Sequence, residues 1–344
     1  MTNSPSATGM ATAQRSVVPG TRRRFLESPI AGPLITVAAV FCLFSLFVPH
    51  FFTMRSISGI VNAATLTGVI TIGITLLMIA GEFDLSVGAL MAVGAFLYGV
   101  NTMNGGSPVW AVTLALVVPG LLGAVNGLLL IKTGIPSFIV TLGTQYLYRG
   151  ALYVLSGGIM LQTIAQIPAY NVFNGRLDLI ANAIKDANFR TSLLWLLGLV
   201  ILFQFVLVRT RFGSHVFATG DNPAAARAQG VNVNRTKLIS FIVSGILAGL
   251  AGILLFSQYR TAKIATGAGE ELNAIAAAVV GGTLLTGGAG SIAGALLGIL
   301  LISMLRTGII LLDVPFIPAD NFVAVVGVTI VAAAVFNQWI RSRS

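Results

Sequence analysis

The run LLWLLGLVILFQFVLV, residues 193–208, leads directly into RTRFGSHVFATGDNPAAARAQGVNVNRTK, residues 209–237. The first stretch has no charge and no period-2 alternation. It therefore reads as a lipid-spanning helix and not as a strand of a transmembrane barrel, the other structure that satisfies every backbone group in hydrocarbon. The second stretch is polar and basic, with five Lys/Arg against the single Asp221, and an apolar span resumes behind it. The whole chain repeats this alternation. Of its 344 residues, 56% are hydrophobic and 9% charged, far from the roughly 25% charged composition of soluble domains.

Apolar runs long enough to cross a bilayer lie near 30–48, 57–79, 86–103, 109–131 and 136–155, then 191–208, 238–256, 272–288, 291–312 and 321–340. The fold expected is all-α and polytopic, with about ten transmembrane helices and both termini cytoplasmic. Residues 1–28 form a polar cytoplasmic tail and 29–341 the transmembrane domain, with a cytoplasmic loop at 209–237 and an external loop at 156–190. Inside segments then hold twelve Lys/Arg and outside segments six, the bias that orients membrane proteins. That bias explains the net charge of +10 without nucleic acid, because the basic residues flank apolar spans and form no contiguous stripe. Arg22-Arg23-Arg24-Phe25-Leu26 has the look of a twin-arginine export signal. The apolar run behind it continues to Val48 with no small-residue cleavage site, so a cytoplasmic tail is expected.

Several polar residues stand between or within these spans. Ala80-Gly81-Glu82-Phe83-Asp84-Leu85-Ser86-Val87-Gly88 sets two carboxylates at a helix start. Asp84 is expected to cap that helix through the Ser86 or Val87 N–H, and Gly81 to permit the reversal before it. A part in gating is the competing reading, since carboxylates near lipid are expensive. Asn62, Asn126, Gln145, Arg149, Gln204, Asn273 and Arg306 fall inside spans, as pathway candidates or as packing and snorkelling groups. Glu270-Glu271 is expected to end an external loop. Gly123/Gly127, Gly245/Gly249 and Gly290/Gly294/Gly298 are one-turn repeats suited to close helix approach. A weak echo at an offset of 200 aligns Gly81, Leu85, Gly88, Gly94, Ala95 and Leu97 with Gly281, Leu285, Gly288, Gly294, Ala295 and Leu297.

Chemistry-bearing motifs are missing. There is no GxxxxGK[ST] phosphate loop, no HExxH and no GxSxG, the histidines are His50 and His215, and Cys42 is the one cysteine. The sequence offers no catalytic residues and no metal site, so an enzyme is not expected. Inside the cytoplasmic loop, Ala224-Ala225-Ala226-Arg227-Ala228 is a short helix-forming run stopped by Gly230, with Asp221-Asn222-Pro223 as its cap and first turn.

That loop resembles the E-A-A-x-x-x-G element by which permeases of ATP-binding-cassette importers dock on their ATPase, with Ala224 in place of Glu. FDLSVG (83–88), GDNPAAARAQGVNV (220–233), SGILAGLAGILL (244–255) and ELNAIAAAVVGGTLLTGGAGS (271–291) are similar to the ribose/xylose-type carbohydrate permeases, in order and at fitting spacing. Glu82-Phe83 departs from that family's usual Gly-Ile. The resemblance implies a bacterial inner-membrane permease dimer, of two copies or of paralogues. Separate cassette ATPase subunits would bind the ATP and Mg, leaving no cofactor in this chain, and an extracytoplasmic sugar-binding protein would deliver the solute. It assigns ATPase coupling to Gly220, Asp221, Asn222, Pro223, Ala224, Ala225, Ala226 and Gly230. It assigns the pathway or its hinges to Gly81, Glu82, Asp84, Ser86, Gly88, Gly281, Gly282, Gly287 and Gly288. A branched-chain amino-acid permease of the same superfamily and an ion-coupled secondary transporter are the competing readings. The latter needs carboxylates near the midplane, for which Glu82 and Asp84 are the candidates.

Overall fold

The computed structural model describes residues 30–312, together with 324, 327, 328 and 331. The expected tail at 1–28 and, apart from those four positions, the span at 321–340 lie outside the described residues. In chain order the first helices are α1 (Ala31–Phe47), α2 (Met54–Ile79), α3 (Val87–Met103), α4 (Pro108–Thr133) and α5 (Ser137–Ser156). The 156–190 stretch contains β1 (Leu161–Gln162), α6 (Pro168–Asn174) and α7 (Asp178–Ala183). Then come α8 (Ser192–Arg209), α9 (Arg211–Asp221), α10 (Pro223–Ala228) and α11 (Val233–Tyr259), followed by β2 (Thr261–Ala262), α12 (Glu270–Val280) and α13 (Ile292–Leu312). Among the described residues five helices, α2, α4, α8, α11 and α13, are long and apolar enough to cross a membrane, and α1 and α3 are shorter apolar helices.

α11 is the central helix. Its 27 residues give a length of about 40 Å, and it packs against α4, α3 and α2. Small residues allow this. A Cβ on Gly123 would meet the Phe241 carbonyl, one on Gly245 the Pro119 carbonyl and one on Gly249 the Ala115 carbonyl. The Gly123/Gly127 and Gly245/Gly249 repeats thus form the backbone-to-backbone seam between α4 and α11, in line with their spacing. At one end of the bundle Tyr98, Tyr170, Phe173 and Phe256 form an edge-to-face aromatic cluster. β1 pairs antiparallel with β2, Leu161 opposite Ala262. These contacts tie the 156–190 stretch to the tops of α3 and α11 and make it a folded cap.

One expected span is not a span. In place of a continuous helix over 272–288, α12 stops at Val280 after 11 residues, about 16 Å against a hydrocarbon core of about 30 Å. Gly281 and Gly282 end it, Gly282 at φ +91°. Periodicity could not reveal this, because the residues after the break are as small and apolar as those before it.

Candidate functional site

Two irregular segments interrupt helices within the bundle, at 80–86 and 281–291, and they are the segments related by the 200-residue echo. Each follows one helix and precedes another, α2 to α3 and α12 to α13. Non-helical backbone inside a membrane protein is tolerated where protein groups satisfy it. At 80–86 they do so. The Phe83 N–H donates to the Ser137 hydroxyl at 3.0 Å, the Leu85 N–H to the Thr141 hydroxyl at 3.1 Å and the Ser86 N–H to Asp84 Oδ1 at 2.9 Å. Gly81, at φ +81°, makes the reversal that its sequence position suggests.

Asp84 is fully buried. Its carboxylate accepts from the Ser86 hydroxyl at 2.6 Å and from the Ser244 hydroxyl at 3.2 Å. The backbone N-cap of α3 is Ser86, so Asp84 sits two residues ahead of the expected cap geometry while making the expected N–H bond. Asn126 donates to the Ser86 hydroxyl at 2.8 Å and accepts from the Tyr148 hydroxyl at 2.9 Å. It lies in this buried network, away from any open face. Glu82 is also buried and pairs with Lys237 at the start of α11. The pairing compensates the charge, as burial of a carboxylate requires.

The polar corner between α9 and α10 seats on both irregular segments at once. A Cβ on Gly220 would run into the Ile79 carbonyl and lie 2.7 Å from the Gly288 nitrogen. Those two groups are hydrogen-bonded to each other, Gly288 N–H to Ile79 O at 2.9 Å. Gly287 abuts Gly81, and Gly288 abuts Asp221. The fold therefore gathers Gly81, Gly220, Asp221, Gly287 and Gly288, residues far apart in sequence, at one junction. Beyond it Asn222 caps α10, accepting from the Ala224 and Ala225 N–H groups at 3.1 and 3.0 Å. Asp221 belongs to the end of α9, so Asn222 alone is the cap. Pro223 stands at the first turn. Ala226 is buried, while Pro223, Ala224, Ala225, Arg227 and Ala228 are exposed, which leaves most of this short helix presented to the solvent side.

A second cluster surrounds the start of α12. Glu270 and Glu271 directly follow the non-helical 263–269 stretch, where a loop end was expected. They form the first turn of the half-helix, beside the middle of α2, where Thr67 donates to Glu270 Oε2 at 2.6 Å. Thr67 is halfway along a 26-residue helix. Carboxylates at a helix N-terminus are favoured by its dipole, which eases their placement at this depth. Asn273 and Arg306 lie near enough to Glu270 to act on its carboxylate. Gln145 donates to Glu271 Oε1 at 3.0 Å, and Arg149 Nη1 donates to the carbonyls of Ile264 and Thr266 at 2.6 and 3.2 Å. Gly88 lies against Glu271 and Arg149. Gln145, Arg149 and Gly88 thus converge around Glu271, whereas Asn62 donates to the Asn188 carbonyl at 2.7 Å in the first half of α2. Sequence reasoning missed the two glutamates because hydropathy reports whether a run is apolar and not how deep a broken run begins. Among the described residues no group of three or more His, Cys, Asp or Glu could hold a metal ion.

Comparison with known proteins gives a consistent result. The sequence model of a family described as "Branched-chain amino acid transport system / permease component" matches residues 56–334. A ribose import permease protein of Escherichia coli K12 is 34% identical over 288 residues, covering 82% of this chain and 86% of that protein. An autoinducer 2 import system permease protein of Photorhabdus luminescens is 32% identical over 309 residues, covering 90% and 89%. The corresponding protein of Yersinia pseudotuberculosis is 33% identical over 320 residues, covering 92% and 87%. No solved structure matches the chain.

Proposed function

The chain belongs to this family of transport-system permease components, and from that premise we propose that it forms the solute pathway of an ATP-binding-cassette importer for a carbohydrate or related small polyol. It is a multi-pass protein of the bacterial inner membrane. The names of the ribose and autoinducer 2 permeases support the carbohydrate reading, as do FDLSVG and the 271–291 run.

In this reading the chain spans the membrane about ten times, with both termini cytoplasmic, and residues 29–341 are the permease domain. The exposed helix α10, with Gly220 to Gly230 around it, docks on a separate cassette ATPase that binds ATP and Mg. A solute-binding protein delivers sugar at the outer face. The single observation that carries the mechanism is the junction at Gly220. The α9–α10 corner rests on the hydrogen bond that joins the two irregular segments, so a push on α10 reaches both breaks without an intervening flexible link. The breaks, with Glu82, Asp84 and Ser86 in one and Gly281, Gly282, Gly287 and Gly288 in the other, act as the hinges of alternating access.

Glu270, Asn273 and Arg306 mark the pathway wall. Leu272 between them is 61% exposed, and Arg306 is exposed. Ionisable groups near the middle of a membrane turn toward protein or a water-filled cavity, so this face turns toward a second permease, identical or paralogous.

The test is ATP-driven uptake in proteoliposomes holding the permease, its ATPase and its binding protein, with labelled D-ribose and labelled L-leucine. Uptake of the sugar that stops without ATPase supports the reading. Uptake of leucine alone would favour the branched-chain amino-acid permease that the family's description names. Uptake that persists without any ATPase would point to the ion-coupled carrier.

A further inference from the structure

We infer that the cleft between α9 and the start of α11 holds the phosphate of an anionic phospholipid from the leaflet on the α10 side. The site rests on the membrane reading above and not on the identity of the solute. The cleft has a volume of about 370 Å³, within the roughly 300–1,000 Å³ of ligand sites. Phe212 and His215 of α9 line one side, Gly230 and Asn232 the turn between α10 and α11, and Arg235, Thr236 and Ile239 the other side. Gly230, Asn232 and Arg235 are exposed, so the cleft is open. Its side chains offer donors, and no carboxylate lines it. Asn232 Oδ1 accepts from the Arg235 N–H at 2.9 Å, which leaves the amide Nδ2 to donate. Among the described residues neither the Arg235 guanidinium nor the His215 ring has a hydrogen-bond or ion-pair partner.

The protein's own carboxylates are committed elsewhere. Glu82, which reaches the same end of α11, pairs with Lys237, and Asp221 abuts Gly288 at the other end of α9. Arg209 and Arg211, both exposed, add positive charge where α8 gives way to α9. Depth selects the source of the anion. α8 and α11 are both long and apolar enough to cross a membrane. α8 passes into α9 through the single residue Thr210, and α11 begins at Val233. The cleft therefore lies where two spanning helices leave the bilayer, at the level of lipid headgroups, where basic pockets between helices take anionic lipids. Its apolar members, Phe212 and Ile239, stand beside the donors, and α8 leads toward it with the exposed stripe Ile201, Phe205 and Val208. A soluble phosphate compound has no use for that stripe. A phospholipid lays its acyl chain there while Arg235, His215 and Asn232 bond the phosphate oxygens. α9 runs from this cleft to the Gly220 corner, so the lipid braces the arm that seats on both breaks.

The experiment uses the complete importer purified in detergent, with phosphatidylglycerol and phosphatidylcholine as probes and native mass spectrometry as readout. The wild type should retain phosphatidylglycerol in preference to phosphatidylcholine. Arg235→Gln combined with His215→Gln should weaken that retention about 10–100-fold, the equivalent of one hydrogen bond to a charged group. Neither side chain has a partner to lose, so the double variant should assemble as the wild type does. Arg235→Lys should keep part of the preference, since it keeps the charge and loses the fork. Lys132→Gln, which removes an exposed charge at the end of α4, should leave it unchanged. Equal retention by the wild type and the double variant would overturn the site, and so would an equal loss in Lys132→Gln, the mark of diffuse charge attraction. Displacement of the lipid by inorganic phosphate would overturn the lipid assignment in favour of a soluble phosphate compound. Loss of the ATPase from Arg235→Gln particles with lipid retention unchanged would overturn it in favour of an acidic side chain of that subunit.

Discussion

Gly220 has no side chain, and its contacts explain why. A methyl group there would collide with the Ile79 carbonyl and crowd the Gly288 nitrogen, prising apart the bond between the two hinges. Gly220→Ala should therefore destabilise the protein by about 1–3 kcal/mol, as overpacking does. It should also reduce uptake more than it reduces protein in the membrane. Thermal unfolding in detergent beside transport per molecule checks both. Asp84 gives the opposite balance. Asp84→Ala strips the acceptor from the Ser86 N–H, the Ser86 hydroxyl and the Ser244 hydroxyl, each a buried donor worth about 1–3 kcal/mol when orphaned. The amount of folded protein should fall steeply, while any molecules that fold keep much of their rate. Quantitative blotting against uptake separates the two losses, and full expression with no transport would make Asp84 a gating residue. At this scale much was legible. The reversal at Gly81 and the cap at Asn222 follow from local chemistry, whereas the partners of Asp84 and Glu82 come from residues 160 and 155 positions away and leave no local trace.

Among the elements, α10 is the clearest test of how sequence becomes mechanism. Pro223 after an Asn cap starts it, and Gly230 at φ +85° closes the turn that follows. Only Ala226 is buried, so the helix presents a small-residue face well suited to a groove on a partner. Ala225→Trp changes an exposed position and should leave folding within about 0.5 kcal/mol. On the docking assignment it should nonetheless uncouple ATP hydrolysis from uptake. Measuring ATPase rate and ribose uptake in one preparation decides the matter, and normal coupled transport would remove α10 from the ATPase interface. The half-helix α12 is the element that sequence patterning misread. A hydropathy window counts apolar residues, and Gly281-Gly282-Thr283 does not interrupt the count enough to register. The signals present were the run of positive-φ-tolerant glycines and the echo with 81–88. An expected span that repeats the pattern of a known break is itself better read as broken.

For the molecule as a whole, the five described helices long and apolar enough to cross a membrane were legible because the bilayer imposes one rule on every segment, and the glycine spacing on α4 and α11 marked both as helices suited to close approach. What one chain's sequence does not encode directly is which faces meet protein and which meet lipid. The exposed side of α12 and α13 resolves this by energy. A charged group at the centre of a bilayer costs at least about 2.5–3.5 kcal/mol, so a face carrying Glu270, Asn273 and Arg306 is stable only when something polar or proteinaceous covers it. The rest of the exposed surface differs in kind, for α8 presents Leu194, Leu197, Ile201, Leu202 and Phe205, a side fit for lipid. Two permeases should therefore be arranged with their α12 half-helices facing each other across the pathway. Leu272→Cys in a Cys42→Ser background should be cross-linked between copies by a bismaleimide long enough to span a solute-sized channel, and Ile201→Cys should not. If the chain pairs with a paralogue, the same cross-link should join this chain to that subunit when both are co-expressed. Cross-linking at Ile201 with none at Leu272 would put lipid against the acidic half-helix, and the pathway assignment would fall with it.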